Sequence, residues 1–201
     1  MNEAVFASMP LDERHVLYVG RLPAELLPSE ETWQTLWDLH PAEFHVIHMP
    51  GGPVATPRWQ QAYGRDYHYT GRTNRAAPIP LELLPLTSWC QSEIDPRLNG
   101  VLLNWYEGQQ GHYIGRHRDS VVNLAADSPI VTISLGEERV FRLRPWRARG
   151  MRDFPARHGA VFVMPYATNL AWTHEVPHRR RYRDRRISVT LRAFVDEGGG
   201  S

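Results

Sequence analysis

Apolar residues change their spacing along the chain, from a helical pattern in the first half to short strand-like runs in the second. Trp33 and Trp37 lie on one helical face after Ser29, which is a favourable N-cap residue. A second helix is predicted over residues 81–93, and a strand over residues 16–20. The N-terminal half is therefore predicted to contribute helices to the fold.

Short runs rich in β-branched and aromatic residues follow from residue 101 onward, separated by Gly, Pro, Asn or Asp. The predicted strands cover residues 101–106, 130–135, 140–143, 160–164 and 187–194. Helices followed by many short strands predict an α+β chain whose C-terminal half is an antiparallel sandwich or barrel.

The composition fits a single cytosolic domain. The chain has 201 residues, of which 42% are hydrophobic, enough for one core. The single cysteine, Cys90, excludes an internal disulfide and a thiolate metal cluster, so a bound metal would need His and carboxylate ligands. No apolar run approaches the roughly 18 residues of a membrane-spanning helix and no leader follows Met1, so neither membrane association nor secretion is expected.

Charge is distributed unevenly along the chain, although the net charge is only +1. All 23 basic residues are arginines, which excludes Schiff-base and phosphate-loop chemistry based on lysine. Residues 1–138 carry a net charge of −8, whereas residues 139–192 carry 14 arginines against three acidic residues, a net charge of +11. This basic segment is either a solvated surface or a binding surface for a polyanion such as nucleic acid.

His117 and Asp119 are two residues apart, and on a strand this spacing directs both side chains to the same side. With a second imidazole from His174 they would form the two-histidine, one-carboxylate set of non-haem Fe(II) oxygenases. His178 competes with His174 for the third position. The alternative is that these side chains are hydrogen-bonded structural groups, and the spacing alone leaves both interpretations open.

The last predicted strand alternates polar and apolar residues. Its polar face carries Arg186, Ser188, Thr190 and Arg192, and its apolar face carries Ile187, Val189 and Leu191. The two arginines are separated by about 20 Å of strand, and their side chains can converge on an object about 6 Å long, such as a short dicarboxylate. Asn104 and Tyr106 share a face in the same way and can donate hydrogen bonds to a carboxylate. The alternatives are an exposed strand face and a buried tyrosine with a structural hydroxyl.

Six motifs occur in order along the second half of the chain. They are Asn104-x-Tyr106, Ile114-Gly-Arg-His117-Arg-Asp119, Pro129-Ile-Val-Thr-Ile-Ser-Leu-Gly136, His158-Gly-Ala-Val-Phe-Val-Met-Pro165, His174-Glu-Val-Pro177 and Arg186-x-Ser-x-Thr-x-Arg192. Together they resemble the AlkB family of Fe(II)/2-oxoglutarate dioxygenases, and the match runs from about residue 57 to residue 194. The resemblance implies a β-dominated α+β fold, with a double-stranded β-helix (a jelly-roll or cupin-like core), N-terminal helices and a nucleotide-recognition lid.

By that resemblance, three residues bind Fe(II), namely His117, Asp119 and His174. Five residues surround the cosubstrate 2-oxoglutarate, namely Asn104, Tyr106, Arg186, Ser188 and Arg192, and the far carboxylate is expected on Arg192. Dioxygen is the other cosubstrate. The family usually has Asn where Ser188 stands, so this contact departs from the family pattern.

Residues 57–71 resemble the nucleotide-recognition lid of the DNA-repair branch. The expected substrate contacts are Arg58, Tyr63, Tyr67, His68 and Tyr69. Aromatic and imidazole side chains can stack on a base that has been flipped out of a duplex. The alternative is a tyrosine-rich loop that covers the core. Many repair members carry an acidic residue two positions after the metal-binding Asp, where this chain has Val121, so the base preference is left open.

The resemblance implies oxidative dealkylation of N-alkylated bases in DNA or RNA, by a monomer in the cytoplasm, or in the nucleus of a eukaryote. One dioxygenase domain is predicted over residues 1–197, with N-terminal helices and lid in 1–99 and the jelly-roll core in 100–195, and residues 198–201 form a flexible tail. The alternatives are the same chemistry on a protein or small-molecule substrate, and a non-catalytic cupin-like binding module.

Overall fold

The structure, a computed structural model, describes residues 6–49, 51–69 and 72–195. The strands in these ranges are β1 (Phe6–Pro10), β2 (Val16–Arg21), β3 (Val46–Met49), β4 (Gly52–Ala55), β5 (Trp59–Tyr63), β6 (Tyr67–Tyr69), β7 (Arg72–Asn74), β8 (Ala76–Ala77), β9 (Gly100–Glu107), β10 (Ile114–His117), β11 (Ile130–Gly136), β12 (Arg139–Pro145), β13 (Arg152–Ala156), β14 (Ala160–Met164), β15 (Trp172–Val176) and β16 (Arg185–Arg192). The helices are α1 (Glu30–Asp38), α2 (Leu84–Glu93) and α3 (Tyr166–Ala171), with short 3-10 turns at Ala24–Leu26 and Leu81–Leu83.

Two sheets form the body of the molecule. The large sheet has the strand order β1-β2-β14-β11-β16-β9-β5-β8, and the small sheet has the order β10-β15-β12-β13. The strands pair antiparallel, apart from the parallel pair of β5 and β8. The hairpins β3–β4 and β6–β7 are separate two-stranded ribbons. This arrangement confirms the β-dominated fold class.

One face of the large sheet packs against the helices. Ile187, Val189 and Leu191 of β16 join a core cluster that includes residues of α1 and α2. Trp105 of β9 is fully buried in the same cluster and donates its indole N–H to the carbonyl of Leu36 in α1 at 2.8 Å. The apolar face predicted for the last strand is therefore the face against which the helices pack.

The opposite face of the large sheet lies against the small sheet. Phe141 of β12 and Phe162 of β14 meet between the sheets with ring centroids 4.7 Å apart, in a second core cluster. Two antiparallel sheets packed face to face in this way form a jelly roll. Polar residues of β9 and β16 line a cavity in this gap, together with residues of β10, β12 and β15.

Most predicted elements are present. Ser29 is the N-cap of α1, and its hydroxyl accepts a hydrogen bond from the N–H of Thr32 at 3.2 Å. The second predicted helix begins with the 3-10 turn at Leu81–Leu83 and continues as α2, which has a proline in its first turn. The predicted strands are confirmed, within two residues at each end, as β2, β9, β11, β12, β14 and β16.

The N-terminal half contributes more strand than the sequence pattern indicates. The strands β1, β2, β5 and β8 extend the large sheet, which therefore runs across residue 100, the predicted start of the core. The domain division stays a prediction, and residues 198–201 lie outside the described residues. Among the helices in the described part of the chain, none combines the length and apolar character needed to cross a membrane.

Candidate active site

A cavity opens between the two sheets. Counted with its open mouth it has a volume of about 530 Å³, within the range of about 300 to 1,000 Å³ that is typical of small-molecule sites. All eight residues predicted for the metal and the dicarboxylate line it, namely Asn104, Tyr106, His117, Asp119, His174, Arg186, Ser188 and Arg192. The structure thus brings together residues from four strands and one loop.

The three predicted metal ligands converge. Oδ1 of Asp119 lies 3.6 Å from Nε2 of His117 and 3.8 Å from Nε2 of His174. Within the described residues, the three side chains form one group whose ligand atoms all lie within 4.8 Å of one another. Neighbouring ligands of an octahedral ion with bonds of about 2.1 Å lie about 3 Å apart, so a small contraction places all three on one ion.

The backbone at Asp119 differs from the prediction. β10 ends at His117, and Asp119 follows in a segment outside the strands, so the alternation of strand side chains does not position it. Its backbone is held by the side chain of Asn169, which accepts from the N–H of Asp119 at 3.0 Å and donates to its carbonyl at 3.1 Å. The spacing predicted the convergence correctly, but the cause is a long-range contact.

Both imidazoles direct Nε2 towards Asp119. Nδ1 of His117 donates to the carbonyl of Gly115 at 2.8 Å, which orients the ring with Nε2 towards Asp119. Burial, and then the neighbouring His117, lower the pKa of His174 to about 3, so His174 is the neutral imidazole that metal binding requires. His178 is exposed and does not belong to the group, so His174 takes the third position.

Arg192 holds Asp119 in its ionised form. Nη2 and Nε of Arg192 donate to Oδ2 of Asp119 at 2.6 and 3.1 Å, and both side chains are buried. Burial alone would raise the pKa of Asp119, but Arg192 and His117 lower it by more, so the pKa lies well below its usual value. Because Oδ2 is engaged by the guanidinium group, Oδ1 is the single oxygen that faces the two imidazoles.

This donor set fits a ferrous ion. Two imidazoles and one carboxylate oxygen are the ligand set that non-haem Fe(II) oxygenases use, and this set would leave the remaining positions on the ion to small ligands. Asp119 is ionised and His174 is neutral, which are the protonation states that ligands need. His117, Asp119 and His174 are therefore the residues that would hold Fe(II).

Arg186 forms a second polar region of the cavity. Its Nε donates to Oγ of Ser134 at 2.9 Å, and its guanidinium group lies 4.9 Å from the ring centroid of Tyr106. The side chain is 1% exposed, and Nη1 has no hydrogen-bond partner among the described residues. Burial lowers the pKa of Arg186 to about 10, which still leaves the group charged at neutral pH. A buried, charged donor without a partner fits a carboxylate.

The two arginines of β16 differ from the prediction in their roles. The far carboxylate of the dicarboxylate was expected on Arg192, but the structure gives the Nε and Nη2 donors of Arg192 to Asp119. Arg186 has a buried Nη1 without a partner among the described residues, which suits it to a second anion. The strand pattern predicts the shared face correctly, but it carries no information about Asp119, which lies 73 residues away from Arg192.

Asn104 is oriented by Arg58. Nε of Arg58 donates to Oδ1 of Asn104 at 2.7 Å, and Nη2 of Arg58 donates to Oε1 of Gln60 at 3.0 Å. Because Oδ1 of Asn104 is an acceptor for Arg58, the Nδ2 hydrogens are left for other acceptors. Ser188 is the β16 residue opposite Asn104 and is buried. Its short hydroxyl stands where the family usually has an amide.

Two of the predicted lid residues lie inside the cavity. Arg58 is 5% exposed and lines the cavity beside Asn104. Tyr67 also lines it, with its ring centroid 4.5 Å from the guanidinium group of Arg192. The Tyr67 hydroxyl donates to Oδ1 of Asp119 at a long 3.4 Å. Both residues therefore lie closer to the metal ligands and to the side chains predicted to bind the dicarboxylate than residues of a surface lid would.

Tyr63 is a correction to the predicted lid. It is 4% exposed and lies in the core cluster on the helix-facing side of the large sheet, and burial raises its pKa to about 12. Side chains alternate along β5, so Gln60 faces the cavity and Tyr63 does not. His68 and Tyr69 lie in β6, and their side chains are outside the described part of the structure, so their role stays a prediction.

Four polar residues in or beside the cavity were not predicted from the sequence. Gln60 and Thr132 line the cavity, Ser134 holds Arg186, and Asn169 holds Asp119. Gln60 carried a signal, since it lies two residues after Arg58 and would share its face on an extended chain. Ser134 and Asn169 act over separations of 52 and 50 residues, which no local pattern reports.

Known proteins resemble the chain in sequence. It matches the profile of the 2OG-Fe(II) oxygenase superfamily over residues 27–192. The human DNA oxidative demethylase ALKBH2 is 31% identical over 152 residues, which are 70% of this chain and 58% of that protein. The rat alpha-ketoglutarate-dependent dioxygenase alkB homolog 3 is 28% identical over 156 residues, which are 72% of this chain and 52% of that protein. The chain thus spans little more than half the length of these curated relatives.

A solved structure supports the fold. The structure of OsALKBH1 superposes with a TM-score of 0.61 at 13% identity, over 92% of this chain and 99% of that one. The superfamily profile covers most of the chain and includes all three metal-ligating residues. The chain belongs to the 2OG-Fe(II) oxygenase superfamily, and the curated relatives to which it is similar carry AlkB-homologue names.

Proposed function

We propose that this protein is an Fe(II)- and 2-oxoglutarate-dependent dioxygenase that removes alkyl groups from N-alkylated bases in DNA or RNA. The observation that carries the proposal is the cavity itself. It holds the His117, Asp119 and His174 group together with Arg186, whose Nη1 has no partner among the described residues. A metal site and a carboxylate site in one cavity match a cosubstrate that chelates iron at one end and carries a second carboxylate at the other.

The cavity residues have distinct roles in this reaction. Arg186 binds the far carboxylate of 2-oxoglutarate, beside Tyr106, and Asn104 donates from Nδ2 to the cosubstrate under the control of Arg58. Arg192 keeps Asp119 ionised and directs Oδ1 to the metal. When bound, Fe(II) supplies the redox chemistry by which dioxygen oxidises the substrate.

The reaction divides the two oxygen atoms of dioxygen between the cosubstrate and the substrate. One oxygen atom of dioxygen enters 2-oxoglutarate, which loses CO₂ to become succinate. The other enters a C–H bond of the alkyl carbon attached to the base nitrogen. The bond between this carbon and the nitrogen then breaks, so that the carbon leaves as an aldehyde and its hydroxyl proton passes to the nitrogen. The protein contributes positioning and a cavity enclosed between two sheets, which limits access of water.

Nucleic acid is the substrate class that the relatives and the charge support. Human ALKBH2 carries the name DNA oxidative demethylase, and this chain shares 31% identity with it. The basic segment 139–192 supplies positive charge for a polyanion. Among the expected base contacts, Arg58 and Tyr67 lie in the cavity, and His68 and Tyr69 follow Tyr67 in β6. A monomeric state and a cytoplasmic location, or a nuclear one in a eukaryote, stay predictions.

The test is mass spectrometry of a panel of N-alkylated oligonucleotides after incubation with the protein, Fe(II) and 2-oxoglutarate. We expect loss of the alkyl group from at least one base, with succinate formed in equal amount. The variant His117→Ala should keep the fold and lose iron binding and both products. Succinate formation without base repair would favour a protein or small-molecule substrate, and a wild-type protein that binds no iron would favour a non-catalytic binding module.

A further inference from the structure

Asn169 makes an unusual pair of hydrogen bonds with a metal ligand. It lies in α3, between β14 and β15, and is 1% exposed. Its Oδ1 accepts from the backbone N–H of Asp119 at 3.0 Å, and its Nδ2 donates to the backbone carbonyl of Asp119 at 3.1 Å. The amide has only one orientation that satisfies both contacts, because the reversed one would set donor against donor and acceptor against acceptor.

These contacts replace a strand partner. β10 ends at His117, so the backbone of Asp119 has no place in either sheet. A buried N–H and carbonyl without partners are costly, and the Asn169 side chain satisfies both at once. The adjacent residue is held by the same helix, since Nη1 of Arg118 donates to the carbonyl of Leu170 at 2.7 Å.

The helix that carries Asn169 is itself fixed to the large sheet. Oγ1 of Thr168 donates to the carbonyl of Val16 in β2 at 2.9 Å, and the N–H of Asn169 donates to the carbonyl of Pro165 at 3.1 Å. α3 also leads directly into β15, the strand of His174. The position of the Asp119 backbone and that of His174 therefore both depend on α3.

Asp119 is thus restrained at two points. Asn169 fixes its backbone, and Arg192 fixes Oδ2 by hydrogen bonds of 2.6 and 3.1 Å. With both restraints, the side chain has little freedom to rotate, and Oδ1 stays directed at the two imidazoles. Without Asn169, the backbone of Asp119 would lose both of these hydrogen bonds, and the residue would be held by its side chain and by the neighbouring Arg118.

We propose that Asn169 is a positioning residue of the metal centre, which sets the backbone of Asp119 so that the carboxylate binds the ion through Oδ1. The proposal rests on the proposed function insofar as the site binds a divalent metal. It goes beyond it by assigning metal affinity to a residue that has no contact with the ion. Groups that orient metal ligands typically change metal affinity by about 10- to 100-fold when removed.

The test compares variants of two neighbouring residues on α3. Asn169→Leu removes both hydrogen bonds at similar volume, and Asn169→Ser is a smaller change that retains a folded protein if the leucine variant fails to fold. Thr168→Val is the matched control, because Thr168 is as buried as Asn169 and the change removes a hydrogen bond of the same helix that does not reach Asp119. The readouts on the full chain are the dissociation constant of Mn²⁺, measured without oxygen, and the unfolding temperature of the metal-free protein.

We expect both Asn169 variants to bind Mn²⁺ about 10- to 100-fold more weakly than wild type. Thr168→Val should lower the unfolding temperature but leave Mn²⁺ affinity within about twofold of wild type. Asn169 variants with unchanged affinity, or a Thr168 variant with the same loss, would assign Asn169 a merely structural role and overturn the proposal. A wild-type protein that binds no Mn²⁺ would overturn the metal centre itself, and this separates failure of the proposed function from failure of the Asn169 assignment.

Discussion

Arg186 and Arg192 lie on one face of β16, yet burial affects them in opposite ways because their partners differ. Burial lowers the pKa of Arg186 to about 10, and in the part of the chain that the structure describes no carboxylate pairs with it to compensate. Burial also disfavours the charge of Arg192, but Asp119 compensates for it and the pKa of Arg192 is raised. Arg186 is therefore a cation that still requires an anion, whereas Arg192 already has one.

Replacing Arg186 by Met should separate cosubstrate binding from stability. The variant removes the donor for the far carboxylate, so the dissociation constant of 2-oxoglutarate should rise about 100-fold or more. It also removes a buried charge that has no acidic partner, so the free energy of unfolding should not fall by more than about 1 kcal/mol. Isothermal titration of 2-oxoglutarate into the Mn²⁺-loaded protein and chemical denaturation measure the two quantities.

The matched variant is Arg192→Met, which leaves Asp119 buried without its partner. We expect it to lower the free energy of unfolding of the metal-free protein by about 3 to 5 kcal/mol, because a buried carboxylate without a partner is costly. If Arg192→Met weakens 2-oxoglutarate binding more than Arg186→Met and leaves stability unchanged, the assignment of the two arginines is reversed.

Side chains whose direction depends on the local strand were predictable from the sequence. The alternation of Arg186, Ser188 and Arg192 with apolar residues placed all three in the cavity, as predicted. Contacts with a partner from a distant segment were not predictable in this way. Arg192 meets Asp119 across 73 residues, and Asp119 meets Asn169 across 50. No local period contains these contacts, and only the tertiary fold creates them.

Helices and strands whose own sequence carries caps and a periodic apolar face were predictable, whereas short or exposed elements were not. α1 has an N-cap serine, two acidic residues in its first turn and a buried face, so each level of the pattern agrees. β1 is exposed at four of its five positions, and β10 has the sequence Ile-Gly-Arg-His with two exposed residues. Neither presents an alternating apolar face, because both take their place by pairing with β2 and β15.

The loop between β9 and β10 contains a histidine that the fold keeps neutral. Nδ1 of His112 accepts from the N–H of Glu107 at 3.1 Å, and the ring packs edge-on against Trp59 with centroids 4.8 Å apart. Burial lowers the pKa of His112 to about 4, with smaller contributions from Arg139, Arg58 and His40. Protonation at Nδ1 would remove the acceptor for the loop backbone.

His112 should therefore make the stability of this loop depend on pH. Its pKa is near 6.5 in the unfolded chain and about 4 in the folded protein, so the unfolded chain binds the proton first. The stabilisation is complete above pH 6.5 and is lost as the pH falls towards 4, with an upper bound of about 3 kcal/mol. The variant His112→Asn keeps an acceptor for Glu107 but no titrating group. Denaturation curves at several pH values should show the advantage of wild type shrinking on acidification, and parallel pH dependences would contradict this.

In the whole folded molecule, much of the positive charge in the C-terminal third of the sequence is buried or paired with acidic side chains. Three of its 14 arginines are buried, namely Arg139, Arg186 and Arg192. Five others pair with acidic side chains, namely Arg142, Arg144, Arg157, Arg179 and Arg185. The arginines of this segment that are exposed and, within the described residues, form no ion pair are Arg147, Arg149, Arg152, Arg180, Arg181 and Arg183. The net charge of +11 predicted from the sequence overstates the charge available to a polyanion.

This count sets an upper limit on what the C-terminal segment contributes to the salt dependence of nucleic-acid binding. Each phosphate neutralised on a single strand contributes about −0.7 to the slope of log K against log salt concentration, so six arginines give a slope no steeper than about −4. Fluorescence anisotropy with a single-stranded oligonucleotide, between low and physiological salt, measures the slope.

Changing the six arginines to Gln should remove most of this slope. Changing Arg157 and Glu138 together to Gln removes an exposed ion pair at constant net charge and should leave the slope as it was. A slope near −8 in the wild type would mean that arginines other than these six also reach the phosphates, and a slope near zero would exclude electrostatic binding of nucleic acid by this segment.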